Sequence, residues 1–217
     1  MYRRPPSGPI QVVLADDHQL MREGLQRLLS QAQDIQVVEA VADSFALLEA
    51  LRRQPVDVAV IDLSMPGMSG MELIKRLRTE FPGLAVLVLT MHGEDLYALR
   101  AFRAGANGYL TKDSAATDLQ RAIHKVAHGG AFVTEAMAER LAMGLSLASD
   151  TPSHEQLSDR EFEVFRQIVA GRRLTDIADD LHLSIKTVST HKSRVLEKLG
   201  VEGTAGLVRY GLQHRLF

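Results

Sequence analysis

Five short apolar runs, rich in β-branched residues, alternate with amphipathic segments between residues 10 and 130. Such runs are typical of buried strands of a parallel sheet, and the segments between them are typical of crossover helices. The predicted strands are Ile10–Ala15, Ile35–Val41, Val56–Ile61, Ala85–Leu89 and Gly108–Thr111. The predicted helices are Gln19–Ser30, Phe45–Arg53, Gly70–Glu80, Asp95–Ala104 and Ala115–Ala127. This alternation predicts an α/β flavodoxin-like domain whose five parallel strands lie in the order 2-1-3-4-5.

Polar residues directly follow four of these runs. Asp16 and Asp17 follow the first, Asp62 follows the third, Thr90 the fourth and Lys112 the fifth. Because ligands bind beyond the carboxyl ends of strands in an open α/β sheet, we expect these five side chains to lie together. Three carboxylates can stay close only when a cation offsets their repulsion, and Mg²⁺ is the cation that prefers such oxygen ligands.

Asp62 is the candidate nucleophile of this group. Pro66 and Gly67 predict a tight turn soon after its strand, which would expose Asp62 at the edge of the sheet. An exposed carboxylate beside a divalent cation can attack phosphorus and form an aspartyl phosphate. We therefore predict that Asp62 is a phosphoacceptor.

The other polar residues complete this site. Asp17 is predicted to bind Mg²⁺ directly and Asp16 partly through water, with the backbone carbonyl of Ser64 as a further ligand beside Asp62. Lys112 would neutralise phosphate oxygens and Thr90 would hydrogen-bond one of them.

Tyr109 lies three residues before Lys112. It is either a half-buried core aromatic residue or part of a rotamer switch that follows Thr90.

Residues 155–217 show helix signals and no strand signal. Ser158 and Glu161 form a capping box at the start of a first helix within residues 157–171. A second helix is predicted at Thr175–Leu181 and a third at Ile185–Leu199. Two short helices joined by a tight turn, the second of them basic, predict a helix-turn-helix.

The third predicted helix carries the candidate DNA contacts. Val188, Val195 and Leu199 recur at helical spacing and are expected to face inward. Ser and Thr can donate to phosphates or to base edges, while Lys and Arg supply charge to phosphates. The candidate DNA-binding residues are Lys186, Thr187, Ser189, Thr190, Lys192, Ser193 and Arg194.

The composition limits the remaining classes of protein. The chain has 217 residues, a net charge of -2 and no Cys, so disulfides and thiolate metal sites are excluded. No apolar run is long enough for a membrane span and no secretory signal is present, so we expect a cytoplasmic protein without a membrane partner. The predicted organisation is a flexible terminus at 1–9, an α/β domain at 10–130, a connector helix and linker at 131–154, and a helical domain at 155–217.

These motifs resemble those of two-component response regulators of the NarL/FixJ group. LADDH, DLSMPGMSG, VLVLTM and GANGYLTKD are similar to motifs of a receiver domain, and residues 157–201 are similar to a LuxR-type helix-turn-helix. The resemblance implies a sensor histidine kinase as phosphodonor, promoter DNA as ligand and RNA polymerase as a candidate further partner. It also implies a homodimer on phosphorylation, and no enzymatic activity beyond Mg²⁺-dependent self-phosphorylation and autodephosphorylation.

The output motif departs from the group's usual pattern in three places. Arg172, Arg173 and Leu174 stand where small and polar residues are usual. Thr175 stands where a basic residue is common, and Gly203 and Thr204 stand where an Asn-Arg pair is frequent. We expect Arg172 and Arg173 to restore basic charge for contacts to phosphate.

Three alternative functions remain at this point. A phosphatase of the haloacid-dehalogenase kind also forms an aspartyl phosphate, but its nucleophile lies at the end of the first strand, whereas Asp62 follows the third. A transcription factor that ignores phosphorylation is disfavoured by the complete set of site residues. A LuxR protein that senses a small molecule is disfavoured by the receiver-like first half.

Overall fold

The computed structural model describes residues 8–91, 95–135, 138–139, 153–181, 183–214 and 216. The chain separates into two compact units, Met1–Met143 and Gly144–Phe217. The flexible terminus predicted at 1–9, and the connector helix and linker predicted at 131–154, lie largely outside the described residues.

The first unit is built on the parallel sheet that the sequence predicts. Its strands are β1 (Ile10–Ala15), β2 (Ile35–Val41), β3 (Val58–Ile61), β4 (Ala85–Thr90) and β5 (Gly108–Thr111). They lie in the order β2-β1-β3-β4-β5, which confirms the predicted topology. The third strand begins at Val58, two residues later than expected, although Asp57 N still donates to Gln11 O of β1 at 2.8 Å.

Five helices cover the two faces of this sheet. They are α1 (Gln19–Leu29), α2 (Ser44–Arg53), α3 (Gly70–Glu80), α4 (Asp95–Ala104) and α5 (Ala115–Ala127). Every residue of β3 and β4 is buried, as expected of central strands with helices on both faces. Leu14, Leu87 and Leu110 share one core cluster with the buried faces of α1 and α5.

Phe132 extends the first unit beyond residue 130. It forms a parallel bridge with Gly108, its carbonyl accepts from Tyr109 N at 2.9 Å, and its ring is buried. The covered strand is the edge strand β5, so this segment satisfies backbone groups that an open edge would leave unpaired.

The second unit is helical throughout its described part. Its helices are α6 (Asp159–Val169), α7 (Leu174–Asp180), α8 (Ile185–Leu199) and α9 (Gly203–Gln213). Ser158 and Glu161 make the predicted capping box at the start of α6. Of the helices in the described part of the chain, none has the length and apolar character that crossing a bilayer requires.

Arg78 forms hydrogen bonds to two turns at the end of the sheet opposite the carboxyl ends of the strands. From α3 it donates to Gly105 O at 2.6 Å, to Leu84 O at 2.8 Å and to Asn107 Oδ1 at 2.6 Å. These acceptors belong to the turns that lead into β4 and β5, so one guanidinium holds both turns to α3.

Arg78→Leu is expected to lower the free energy of unfolding of the first unit by about 3 kcal/mol, because three acceptors lose a charged donor. Urea titrations followed by the NMR signals of β4 amides report on this unit. The matched control is Arg76→Leu on the same helix, whose surface pair with Glu80 predicts a loss below about 1 kcal/mol. Equal losses in the two variants would contradict this role for Arg78.

Candidate functional site

The carboxyl edge of the sheet brings the predicted polar residues together. Backbone hydrogen bonds continue the sheet one residue past the strands: Asp16 N donates to Val41 O at 3.2 Å, and Asp62 N donates to Ala15 O at 2.8 Å. The neighbouring strands β1 and β3 therefore present the carboxylates of Asp16 and Asp62 side by side.

Lys112 joins these two carboxylates. Its Nζ lies 2.6 Å from Asp16 Oδ2 and 2.7 Å from Asp62 Oδ2, and all three side chains are only 3% exposed. The expectation that Asp62 would be exposed at the sheet edge is wrong, because strand neighbours and the Lys112 side chain cover it. Lys112 thus offsets the repulsion for which the sequence argument invoked a divalent cation.

The buried charges shift one another's ionisation. Burial raises the pKa of Asp62 above 3.8 and the charge of Asp16 adds to the rise, while the hydrogen bond and charge of Lys112 and the N–H of Ser64 oppose it. Burial by itself would lower the pKa of Lys112, but its hydrogen bonds to Asp16 and Asp62 and their charges outweigh burial and raise that pKa. The site therefore keeps Lys112 cationic at neutral pH.

The carboxylates form a cluster that can bind a metal ion. Ligand atoms of Asp16, Asp17, His18 and Asp62 lie within 4.8 Å of one another. Within the described residues, Asp16 Oδ2 and Asp17 Oδ1 are buried, and each has one neighbouring nitrogen and further acceptor capacity. Asp16 Oδ2 lies 2.6 Å from Lys112 Nζ, and Asp17 Oδ1 lies 2.8 Å from Nδ1 of His18. Carboxylate oxygens with unused acceptor capacity fit a hard divalent cation.

Arg22 is part of this edge and was absent from the sequence argument. From the first turn of α1 its Nη1 donates to the backbone carbonyl of Asp16 at 2.6 Å. This contact holds the segment that carries Asp16 and Asp17 against α1. Only its position six residues after Asp16 could have indicated it, which is a weak signal for an Arg on a helix.

Thr90 and Tyr109 lie on the same face of neighbouring strands. Tyr109 pairs with Val88, two residues before Thr90, and both Thr90 and Tyr109 are 0% exposed. Tyr109 is therefore fully buried, not half-buried as the first of its two interpretations expected. The structure brings Thr90 to the same edge as Asp62 and Lys112, since β4 lies between β3 and β5.

The second unit has the predicted helix-turn-helix, formed by α7 and α8. Ser184 caps α8 by accepting from Thr187 N at 3.0 Å, and Val188, Val195 and Leu199 are buried as predicted. Lys198, near the end of α8, pairs with Glu161 at 2.6 Å and so ties this helix to the start of α6.

Most of the candidate DNA-binding residues point away from the core of the second unit. Five of them are exposed, namely Lys186, Ser189, Thr190, Ser193 and Arg194. Thr187 and Lys192 are half-buried. Thr187 Oγ1 lies 2.8 Å from Ser184 Oγ, and Lys192 Nζ donates to Thr204 Oγ1 at 2.8 Å. Lys192, which the sequence predicts to contact DNA, is thus held by α9 in the unbound unit.

The two unusual arginines after α6 are paired with carboxylates. Arg172 contacts Asp180, and Arg173 contacts Asp176 at 3.0 Å. Because the carboxylates of α7 neutralise them, the expectation that they restore free basic charge for phosphate is not supported by the unbound structure.

A buried aspartate beside a lysine and an acidic cluster that could hold a metal ion is joined in one chain to a helix-turn-helix, the arrangement of a response regulator with a DNA-binding output. Residues 12–124 match the response regulator receiver domain, and residues 155–211 match the luxR family of bacterial regulatory proteins. The chain belongs to the two-component response regulators of the NarL/FixJ group and is a DNA-binding response regulator.

Relatives match over nearly the whole chain. UvrY of Escherichia coli K12 is 31% identical over 208 residues, which cover 95% of each chain. UhpA of Salmonella typhimurium is 36% identical over 208 residues, covering 96% of this chain and 98% of UhpA. RcsB of Salmonella enterica serovar Typhimurium, solved on promoter P1flhDC with the phosphomimetic BeF3⁻, is 32% identical with a TM-score of 0.70 over 94% of this chain and 98% of RcsB.

Asp62→Asn is expected to gain stability relative to the parent as the pH rises from 4 to 7 without divalent cations. A raised pKa means that the folded parent holds the Asp62 proton more tightly than the unfolded chain does, so the parent loses stability as pH rises from 3.8 through that pKa. The amide side chain of the variant does not titrate. Urea titrations in EDTA, followed by the NMR signals of β4 amides, measure the free energy of unfolding of both proteins at each pH. A difference between variant and parent that stays constant or falls as the pH rises would contradict the burial of an ionised Asp62.

Proposed function

We propose that phosphorylation of Asp62 controls DNA binding by this chain. The observation that carries the proposal is the position of Asp62 between Lys112 and the cluster of Asp16 and Asp17. A carboxylate oxygen of Asp62 attacks phosphorus and forms a new O–P bond, while the bond from phosphorus to the leaving group breaks and its electron pair leaves with that group. The expected physiological donor is a phosphohistidine of a sensor kinase.

Mg²⁺ is the cation that fits the carboxylate cluster. Asp16, Asp17, Asp62 and the Ser64 carbonyl would hold it, and when bound it supplies positive charge that offsets the oxygens of the transferred group. Lys112 Nζ lies 2.7 Å from Asp62 Oδ2, so it is in position to contact the phosphoryl oxygens once Asp62 is modified. The hydroxyl of Thr90 is proposed to hydrogen-bond another of these oxygens.

The conformational change that follows phosphorylation of Asp62 is proposed to pass through Thr90 and Tyr109. Both are buried on one face of β4 and β5, and protein interiors are close-packed. A movement of Thr90 toward the phosphoryl group changes the packing that the Tyr109 ring contacts, and such a packed element has discrete arrangements.

The DNA-binding surface is proposed to be the exposed face of α8. It presents hydroxyls and cations from Lys186 to Arg194, the residue types that read base edges and phosphates. An RcsB structure described as two dimers bound to two parallel DNAs supports a dimer that reads paired half-sites. The receiver domain at about 10–130 is proposed to accept phosphate, and the output domain at 155–217 is proposed to bind DNA.

Asp62 is predicted to be the single residue that accepts phosphate. Parent and Asp62→Asn proteins are incubated with acetyl phosphate and Mg²⁺, and their intact masses are compared. The parent should gain one phosphoryl group and the variant none, because the amide lacks a nucleophilic carboxylate. A variant that gains phosphate as fully as the parent does would place the acceptor elsewhere.

Lys186 and Ser189 are predicted to act differently on DNA. Lys186→Ala should weaken binding about equally on a selected site and on random DNA, and should reduce the slope of log affinity against log salt by about 1. Ser189→Ala should weaken binding to the selected site by about 10-fold and leave random DNA nearly unchanged.

Fluorescence anisotropy at four salt concentrations measures both variants. Glu197→Ala, an exposed change on the same helix but outside the proposed surface, is the matched control. An equal loss from Ser189→Ala on both DNAs would count against base readout at that residue.

A further inference from the structure

The first residue of α2, Ser44, is hydrogen-bonded to the loop that follows Asp62. Ser44 is fully buried, and both its backbone N–H and its hydroxyl lie 3.3 Å from Pro66 O. The same hydroxyl oxygen accepts from Met68 N at 2.9 Å. Three hydrogen bonds from one residue therefore fix the loop on both sides of Gly67.

Gly67 fits between the two residues that begin α2. Its φ is +105°, a conformation that side chains with a Cβ rarely adopt. A Cβ there would collide with Ser44 Oγ and would lie 3.0 Å from Cε2 of Phe45. The loop backbone thus passes against the Ser44 hydroxyl and the Phe45 ring, at a distance that only glycine permits.

Ser44 lies between a helix cap and the phosphoacceptor site. It directly follows the residue that caps α2, and it holds a loop whose other end contacts Asp62. Asp43 caps α2 by accepting from Phe45 N at 2.8 Å and from Ala46 N at 2.9 Å, which fixes where Ser44 begins the helix. At the other end of the held loop, Ser64 N donates to Asp62 Oδ1 at 3.2 Å. The position of Ser64 relative to Asp62 therefore depends on a loop that Ser44 anchors.

We propose that Ser44 is a positioning residue of the phosphoacceptor site. By anchoring Pro66 and Met68, it keeps the N–H of Ser64 on Asp62 and the Ser64 carbonyl directed to the cation. This inference rests on the proposed function, because it concerns the Mg²⁺ and phosphate chemistry of Asp62. Ser44 touches neither group itself and acts through the loop.

Ser44→Ala in the full chain tests this role by two measurements. Hydrogen exchange should become faster at the Met68 amide, which loses its acceptor. Mg²⁺ affinity, from NMR titration of the Asp62 and Ser64 amides, should fall about 10-fold, the loss typical when a residue that orients a metal ligand is removed. The rate of phosphorylation by acetyl phosphate should fall with it.

Asn107→Ala is the matched control for a loss of stability alone. Asn107 Oδ1 accepts from Val86 N and Arg78 Nη2 at the opposite end of the sheet, so its loss removes comparable hydrogen bonds far from the site. This variant should be destabilised and should keep the Mg²⁺ affinity of the parent. Should Ser44→Ala not fold, Phe45→Ala removes the 57% exposed ring of α2 that lies against Gly67 of the same loop, and it should also weaken Mg²⁺ binding.

Two results would overturn the inference. One is an unchanged Mg²⁺ affinity in Ser44→Ala, or in Phe45→Ala where that variant is used, while the parent binds Mg²⁺ and accepts phosphate. The other is an equal loss of affinity in Asn107→Ala, which would show a general effect of stability. A parent that neither binds Mg²⁺ nor accepts phosphate would instead refute the proposed function, and the role of Ser44 with it.

Discussion

The ammonium of Lys112 between Asp16 and Asp62 is the interaction on which the site depends. Strand pairing forces the two carboxylates together, since each follows the end of one of two neighbouring strands. Burying such a pair without a partner costs several kcal/mol per ion, and removing one member of a buried pair is strongly destabilising. The Lys112 ammonium, which follows β5, stabilises the buried carboxylates of Asp16 and Asp62 in the absence of a metal ion.

The order of the strands decides which residue can supply this cation. β5 is separated from β3 by β4, a distance of roughly 10 Å at about 4.8 Å per strand. Only a long side chain spans that gap, and Lys112 stands at the carboxyl end of β5. Thr90 ends the strand between them, so it borders the path from Lys112 to Asp62. Phosphorylation replaces the single negative charge of the Asp62 carboxylate by the nearly two charges of an acyl phosphate, a net gain of about one, and moves that charge outward between these groups, which is the change of local charge that a switch requires.

The sheet and the membership of the site followed from the sequence because both depend on local patterns. Short β-branched runs gave the strand order, and polar residues at strand ends gave Asp16, Asp62 and Lys112 as neighbours. The capping box at Ser158 likewise located the first helix of the output unit, since its signal lies within four residues.

Other features depend on contacts between distant parts of the chain, which no local pattern encodes. The double pairing of Lys112 and the burial of Asp62 follow from packing across four strands, from β1 to β5. The hydrogen bond from Lys192 to Thr204 depends on how α9 packs against α8, and it restrains a side chain that the sequence predicts as a DNA contact. Ser44 contacts a loop more than 20 residues away, and its hydroxyl has no signature in sequence beyond its place at the start of a helix.

The central claim is that the Asp62 site and the α8 surface are coupled, and thermodynamic reciprocity tests it most directly. DNA carrying paired half-sites is titrated with and without saturating BeF3⁻ and Mg²⁺, and BeF3⁻ is titrated with and without saturating DNA. We expect BeF3⁻ to tighten DNA binding by a factor of about 5 or more, and DNA to tighten BeF3⁻ binding by the same factor. A DNA affinity that BeF3⁻ leaves unchanged, although it occupies the site, would contradict the account and identify a regulator whose DNA binding is independent of phosphorylation.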